Sequence, residues 1–397
     1  MEKLSQLNER LMSAVQNWKY RARVFALKNL FFFAPLKNNK IVFINFNGRG
    51  YGCNPKYIAQ EILAQNLNLD LVWLVNDLNE PVPEGIRKVI FQSTRGLYEV
   101  ATARVVVTNV KNDLCLVKKK KQYIIQTWHG SYSAKLLERE AAGTLSEQYL
   151  KESRKNSKQT DLFLSNSRVL SECYQNAFWC DCEILECGFP RNDVLFHQSD
   201  EQKRMIRARL GVPEQAKLVM YAPTFRDDGS VDCYNIDCRG ILHALPGTEE
   251  WFLLIRLHPN VGDASNLFAF DDHILDATPY PDMQELLVVS DVLITDYSST
   301  VFEFAALEKP SVIYAPDVDA YHKMRGLKDD FYRMPYPVCR TNQELMEQLA
   351  KLTPEYGKEK AAQFMTFFGG VDKGDASEQV VERICCVLNE GNGCGSK

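Results

Sequence analysis

The segment from Glu285 to Tyr321, ELLVVSDVLITDYSSTVFEFAALEKPSVIYAPDVDAY, constrains the fold of this 397-residue chain more than any other. Asp291-Val292-Leu293-Ile294-Thr295 reads as a short buried strand, Thr300 to Leu307 as a helix, and Ser311 to Tyr314 as another buried strand. Lys309-Pro310 stops the helix between them. The same alternation of strands and helices recurs in both halves of the chain, which points to parallel α/β layers, and the length is enough for two domains with full cores. Thr295-Asp296-Tyr297-Ser298-Ser299-Thr300 falls at the strand-to-helix junction. There the first helical turn has unpaired N–H groups and the positive end of the dipole, and two consecutive hydroxyls supply further donors to an anion. An ordinary N-cap made by Ser298 and Ser299 is the competing reading.

Composition narrows the class. With 47 Lys and Arg against 51 Asp and Glu, the formal charge of −4 argues against a dedicated nucleic-acid binder. The 12 cysteines lie in apolar or helical contexts with no CxxC pair and no Cys/His set at zinc spacing, so they read as reduced and the compartment as cytosolic. No 18-residue apolar run or signal peptide is present, since Leu30 to Pro35 is too short and has no cleavage-like site.

Residues 1–40 interleave Lys3, Arg10, Lys19, Arg21, Arg23, Lys28, Lys37 and Lys40 with Leu4, Leu7, Leu11, Val15, Trp18, Val24, Phe25 and Leu30 to Phe33. Such a basic amphipathic helix lies on an anionic membrane surface or packs on its own domain. Ile41 to Phe46 is a strand leading into the glycine-rich turn Asn47-Gly48-Arg49-Gly50-Tyr51-Gly52, which departs from GxGxxG and reads as an acceptor-side loop or a simple tight turn. Further strands are expected at Leu71–Val75, Lys88–Phe91, Val105–Thr108 and Tyr123–Thr127, and Lys118 to Lys121 read as a solvated turn that would also suit a phosphate-rich headgroup. Trp128-His129-Gly130-Ser131 follows the last of them. A histidine at the carboxyl end of a parallel strand sits where open α/β sheets place ligands, and it can take a proton from a hydroxyl; a structural histidine is the alternative.

The charged segment Asp200 to Leu210 follows Gly188-Phe189-Pro190-Arg191-Asn192-Asp193 and bridges two domains. In the second, Lys217 to Ala222 is a strand ending at a Pro-Thr turn that would project Arg226, where a guanidinium fork can hold a diphosphate or pair with Asp227 or Asp228. Phe252 to Ile255 delivers Arg256 and His258 to the same edge. The expected division is 1–40, 41–198, 199–375 and a C-terminal helix and tail at 376–397.

TWHGS at 127–131, GFPRND at 188–193, YAPTFRD at 221–227, RLHP at 256–259 and DVLITDYSST at 291–300 together resemble the CDP-glycerol glycerophosphotransferases, the teichoic-acid primases and polymerases and related capsule-polymer enzymes. The resemblance covers roughly residues 40–385. It implies a GT-B architecture, two Rossmann-like domains facing across a cleft, and transfer of a polyol phosphate from a CDP-activated donor to a lipid-linked (polyprenyl diphosphate) saccharide acceptor.

By the same resemblance, His129 would be the base that deprotonates the acceptor hydroxyl, and His258 and Arg256 would contact the diphosphate. Arg226 and Thr224 would position the phosphates, Ser298, Ser299 and Thr300 would bind them, and Asp296 would order that turn. Gly130, Ser131 and Lys135 join the substrate-binding set, and cytidine and ribose would sit near Pro281, Asp282 and Glu303. No metal or cofactor is implied beyond the CDP-glycerol donor, and the location would be the inner face of the cell membrane. This chain has Ser131-Tyr132-Ser133-Ala134-Lys135 where Thr-Pro and a pair of lysines are usual, and Glu303 where Asp is common. CDP-ribitol as donor, a GT-B glycosyltransferase using a nucleotide sugar, and an idle polymer-binding scaffold are the competing functions.

Overall fold

A computed structural model describes residues 19, 22–111, 118–131, 134–143, 145–226, 228–258, 261 and 266–390. The expectations for residues 1–18, for Tyr132, Ser133, Asp227 and Pro259, and for the tail from Gly391 lie outside them.

Two sheets organise the chain. The first contains β1 (Lys37–Ile44), β2 (Asp70–Val75), β3 (Ile86–Ile90), β4 (Ala103–Thr108), β5 (Tyr123–Gln126), β6 (Leu162–Ser165) and β7 (Glu183–Glu186), in the order β3-β2-β1-β4-β5-β6-β7. The second contains β8 (Lys217–Ala222), β9 (Trp251–Ile255), β10 (Ile274–Asp276), β11 (Val292–Thr295), β12 (Ser311–Tyr314) and β13 (Val338–Cys339), in the order β10-β9-β8-β11-β12-β13. In the second sheet every neighbouring pair is parallel, with Tyr221 level with Ile255 and Ile294. Its order is that of a Rossmann sheet, in which the direction of winding reverses between β8 and β11.

The strands form where the sequence places apolar runs because helices cover both faces of a parallel sheet. Val42, Phe43, Ile44, Leu218, Val219, Leu253, Leu254, Leu293 and Ile294 are fully buried, and each such side chain contributes roughly 1.5–3 kcal/mol of transfer free energy. The helix Asp200–Leu210 starts with a Ser199 and Gln202 capping box and stops at Gly211, whose φ of 72° suits glycine.

By contacts the chain divides into two compact units. Of the described residues, one holds those up to Trp128 with Lys155–Phe163 and those from Val381, and the other holds those in His129–Arg154 and Leu164–Val380. His129 and its turn therefore pack with the second sheet's unit, although they precede the expected division at 198/199.

In the first unit, residues 22–32 are helical, and one face of the amphipathic segment packs on its own domain. Val24 is in the core with Val42 and Ile44, and Leu27 and Phe31 pack against it, whereas Phe25 is 67% and Phe33 84% exposed. Half of the lysine run is tied internally: Lys118 pairs with Asp161, and Lys119 donates to the carbonyls of Phe31 and Ala34, while Lys120 and Lys121 are exposed. In the glycine-rich turn, Gly48 has φ +89°, and a Cβ there would lie 2.8 Å from Asn76 Oδ1 and from Phe91 Cβ. That glycine is required by close packing of protein on protein, the tight-turn reading.

Candidate functional site

In an open parallel sheet the ligand crevice lies beyond the carboxyl ends of the strands, at the point where winding reverses. In the second unit that point is between β8 and β11. The serine turn follows β11, Thr224 to Arg226 follow β8, and Arg256 and His258 follow β9 beside them.

Asp296 fixes the serine turn. Its Oδ1 accepts the N–H of Thr224 at 2.8 Å, the Thr224 hydroxyl, and the N–H of Tyr297 at 2.6 Å. Its Oδ2 accepts Arg226 Nη2 at 2.9 Å. The carboxylate thus orders the turn. Ser298 Oγ lies 2.8 Å from Thr300 Oγ1 and accepts the Thr300 N–H at 3.3 Å, while the Ser299 hydroxyl makes no cap bond. Both serines are half-buried.

Arg226 departs from expectation. The side chain is 2% exposed, and its donors are committed to protein acceptors: Nε and Nη2 to Asp317 at 2.7 and 3.1 Å, Nη2 also to Asp296, and Nη1 to the Thr224 carbonyl at 2.6 Å. The guanidinium also lies 5.0 Å from the ring centroids of Tyr297 and Tyr321, which stack on each other at 3.8 Å. Burial works against its charge, but Asp296 and Asp317 outweigh burial and hold its pKa above the ordinary value. With four of its five N–H groups used inside the protein, a guanidinium enclosed in this way braces the serine turn.

Arg256 is half-buried and donates Nη1 to the Ala277 carbonyl at 3.1 Å and to that of Thr278. His258 is exposed, with its ring 5.9 Å from that of Phe225. Partial desolvation comes first in lowering the imidazole's pKa below the ordinary histidine value, followed by the positive charges of Lys135 and Arg256. Lys135 is placed by a bridge to Leu327 and by the N–H of Lys328 donating to the Ala134 carbonyl at 2.7 Å. Two chain segments, the Arg256–His258 turn and the one carrying Lys135, therefore bring positive charge to the His258 imidazole.

The chain enters the His129 turn under constraint. Trp128 has φ 54°, in the left-handed region that side chains seldom adopt. Gln126 Oε1 accepts its N–H at 3.0 Å, and Asn54 Nδ2 donates to its carbonyl at 3.1 Å. Further on, Arg191 Nη1 donates to the His129 carbonyl at 2.8 Å, and Ser131 Oγ donates to Glu303 Oε1 at 3.1 Å. His129 and Gly130 are half-buried, and Ser131 is fully buried.

Two of the residues expected near cytidine and ribose, Asp282 and Glu303, have partners within the protein. Asp282 caps the helix Met283–Val289, accepting the Gln284 N–H at 3.0 Å. Glu303 is 3% exposed and engaged by Arg191, Ser131 and Gln284. Two residues with no role assigned from sequence, Arg191 and Asp317, hold the turns together, and only the position of Arg191 in GFPRND offered a signal.

Beside Arg191, Asp372 accepts the Phe189 N–H and Asn166 Nδ2, each at 2.8 Å, and burial pushes its pKa up to about 6. A raised carboxyl pKa favours folding below the unfolded value and loses that benefit as pH rises through 6. The protein is therefore expected to lose stability between pH 4 and pH 8, by at most about 3 kcal/mol from this group, and Asp372→Asn to flatten that loss while sacrificing one of the two acceptors. Thermal melts of both proteins at these two pH values check the sign.

The family model described as CDP-glycerol:poly(glycerophosphate) glycerophosphotransferase matches residues 26–386. The chain is 30% identical over 386 residues to a teichoic acid poly(glycerol phosphate) polymerase of Bacillus spizizenii, covering 92% of this chain and 98% of that protein. It is 32% identical over 375 residues to the protein of the same name from Bacillus subtilis, covering 90% of this chain but only 50% of the relative's length. A solved structure of the wall teichoic acid polymerase TagF, a histidine-to-asparagine variant soaked with CDPG, superposes with a TM-score of 0.83 at 29% identity, covering 95% of this chain and 99% of that one. Two parallel Rossmann-type sheets and this likeness give the chain a GT-B architecture. A match over 361 consecutive positions takes in all five motifs quoted above, and the chain belongs to the CDP-glycerol:poly(glycerophosphate) glycerophosphotransferase family.

Proposed function

We propose that this protein transfers glycerol phosphate from CDP-glycerol to a hydroxyl of a lipid-linked saccharide or polyol-phosphate acceptor, releasing CMP, in the synthesis of a teichoic-acid-type polymer. One observation carries the reading: the Arg256–His258 turn follows β9, next to β8 at whose far side β11 carries the serine turn, and Lys135 and Arg256 both press positive charge on the His258 imidazole, a repulsion that a bound diphosphate would relieve.

Phosphoryl transfer asks the protein mainly for in-line placement and cancellation of charge on the non-bridging oxygens. His129 takes the proton of the acceptor hydroxyl as its oxygen attacks the phosphorus that bears glycerol. The bond from that phosphorus to the CMP oxygen breaks, and CMP leaves with the electron pair. Arg256, Lys135 and His258 offset the charge that builds on the departing phosphate, and Ser298 and Ser299 contribute hydroxyl donors.

The exposed Phe25, Leu30 and Phe33 support attachment to an anionic bilayer, where the acceptor resides. Among the described residues no helix is long and apolar enough to cross a membrane. The test is CMP release and a glycerol-phosphate mass gain on lipid-linked acceptor when purified protein receives CDP-glycerol, CDP-ribitol or UDP-sugars in parallel. Turnover confined to CDP-ribitol or a UDP-sugar overturns the donor assignment. Cosedimentation with anionic vesicles checks the attachment, and its loss from a Phe25→Ser/Leu30→Ser/Phe33→Ser variant is expected.

The depressed His258 pKa gives a pH signature. A diphosphate raises the pKa of the imidazole it approaches, so donor binding takes up a proton, and affinity rises as pH falls from 8 toward 6. Calorimetry across that range is expected to show CDP-glycerol binding weaken with increasing pH, and His258→Gln to flatten the trend. An unchanged slope in His258→Gln removes the histidine from the phosphate site.

A further inference from the structure

We infer that Arg191 is a positioning residue that fixes the His129 turn to the helix following the serine turn, using Glu303 as its counterpart; the inference rests on the proposed transferase reading. Arg191 is 6% exposed, and its planar guanidinium reaches in two directions. Nη1 donates to the His129 carbonyl at 2.8 Å, and Nη2 pairs with Glu303 Oε1. The guanidinium lies 5.3 Å from the Phe189 ring centroid, which limits rotation of the plane.

Glu303 closes the arrangement. It stands on the helix Thr300–Ala305, directly after Ser298 and Ser299. Its Oε1 also accepts the Ser131 hydroxyl at 3.1 Å, two residues beyond His129, and its Oε2 accepts Gln284 Nε2 at 2.7 Å. Gln284 belongs to the helix capped by Asp282. One carboxylate thus gathers the His129 turn from both ends, through Arg191 and through Ser131, and ties it to two helices of the same unit.

The requirement is geometric. Transfer needs the imidazole within hydrogen-bond reach of the hydroxyl that attacks, and a misplacement of 1 Å costs about a hundredfold in rate. A planar fork can hold a carbonyl and a carboxylate at a fixed separation, which a lysine ammonium on a flexible stem cannot. Arg191 and Glu303 need not touch the substrate to act in this way.

The experiment uses the full chain with Arg191→Ala, Arg191→Lys and Glu303→Gln, the last keeping the side-chain volume in case the alanine variant fails to fold. Expected is a kcat for CMP release lowered about a hundredfold in Arg191→Ala and not restored in Arg191→Lys, with CDP-glycerol affinity by calorimetry within about twofold of the parent. Guanidinium ion added at millimolar concentration restores part of the Arg191→Ala rate, and Glu303→Gln falls between the parent and that variant. Hydrogen exchange of peptides covering 129–137 accelerates in all three variants, while amides of β8 and β11 keep their protection.

The inference is overturned if exchange at 129–137 matches the parent, or if donor affinity, melting temperature and kcat decline together. Failure of the transferase reading is separate: the parent then releases no CMP from CDP-glycerol, and exchange at 129–137 alone decides whether Arg191 and Glu303 hold the turn.

Discussion

His129→Ala is expected to reduce CMP release from CDP-glycerol in the presence of acceptor by about a hundredfold or more, the usual contribution of a positioned general base. The donor KM should change little, because the imidazole serves the acceptor hydroxyl and the anion is held by groups from other segments. His258→Ala should differ in kind. It removes a group beside the departing phosphate, so it should both weaken donor binding and slow turnover, with a loss of about a hundredfold to a thousandfold for one charge-stabilising donor. The two histidines lie on turns whose main chain is fixed by other residues, His129 by Arg191 and His258 by its own carbonyl accepting the Val261 N–H at 2.9 Å. Loss of either ring should therefore leave thermal unfolding close to that of the parent. Steady-state CMP release with donor and acceptor varied separately, together with a melting curve, checks all three statements. Near wild-type CMP release from His129→Ala removes it as the base.

The fold was legible in the sequence wherever a strand is buried on both faces. Ile41 to Ile44, Leu218 to Tyr221 and Val292 to Thr295 are almost wholly enclosed, so their sequences are continuous apolar runs, and the strand-turn-helix-strand pattern at 291–314 follows from them. The strands that escaped are short edge strands or only partly covered: β7 is half to fully exposed, β10 has three residues and β13 has two. Their composition carries little of the periodic signal.

The site was legible as a set of turns and less so as a set of contacts. Which residues follow each strand is local information, and Thr224, Arg256, His258 and Ser298 lie at the expected strand ends. What each side chain touches depends on partners far along the chain. Arg226 is claimed by Asp296 and Asp317, 70 and 91 positions away, and Glu303 by Arg191, 112 positions away. No spacing rule connects such pairs, so a guanidinium beside a phosphate turn and one buried beneath it look alike in sequence.

Arg226→Met separates those two possibilities and should be the most damaging change to stability. Removing one member of a buried ion pair leaves an uncompensated charge and typically costs about 3–5 kcal/mol. Here the charge left behind is that of Asp296, whose side chain is 1% exposed, with Asp317 at 25% retaining some access to water. In a domain of this size the loss corresponds to a melting temperature lower by roughly 6–20 °C. The same change loosens the turn carrying Ser298 and Ser299, because Asp296 Oδ1 holds Thr224 and Tyr297 while Arg226 holds Oδ2. Donor affinity and stability should therefore fall together. Adding Asp296→Asn to Arg226→Met should recover part of the stability, since the amide places no charge in the vacated site, and the recovery measures the coupling between the two residues. A diphosphate ligand would behave otherwise: Arg226→Met would raise the donor KM, leave the melting temperature unchanged, and gain nothing from Asp296→Asn. Melting curves of the single and double variants with calorimetric binding of CDP-glycerol distinguish the outcomes, and an unchanged melting temperature in Arg226→Met would return the residue to the phosphate site.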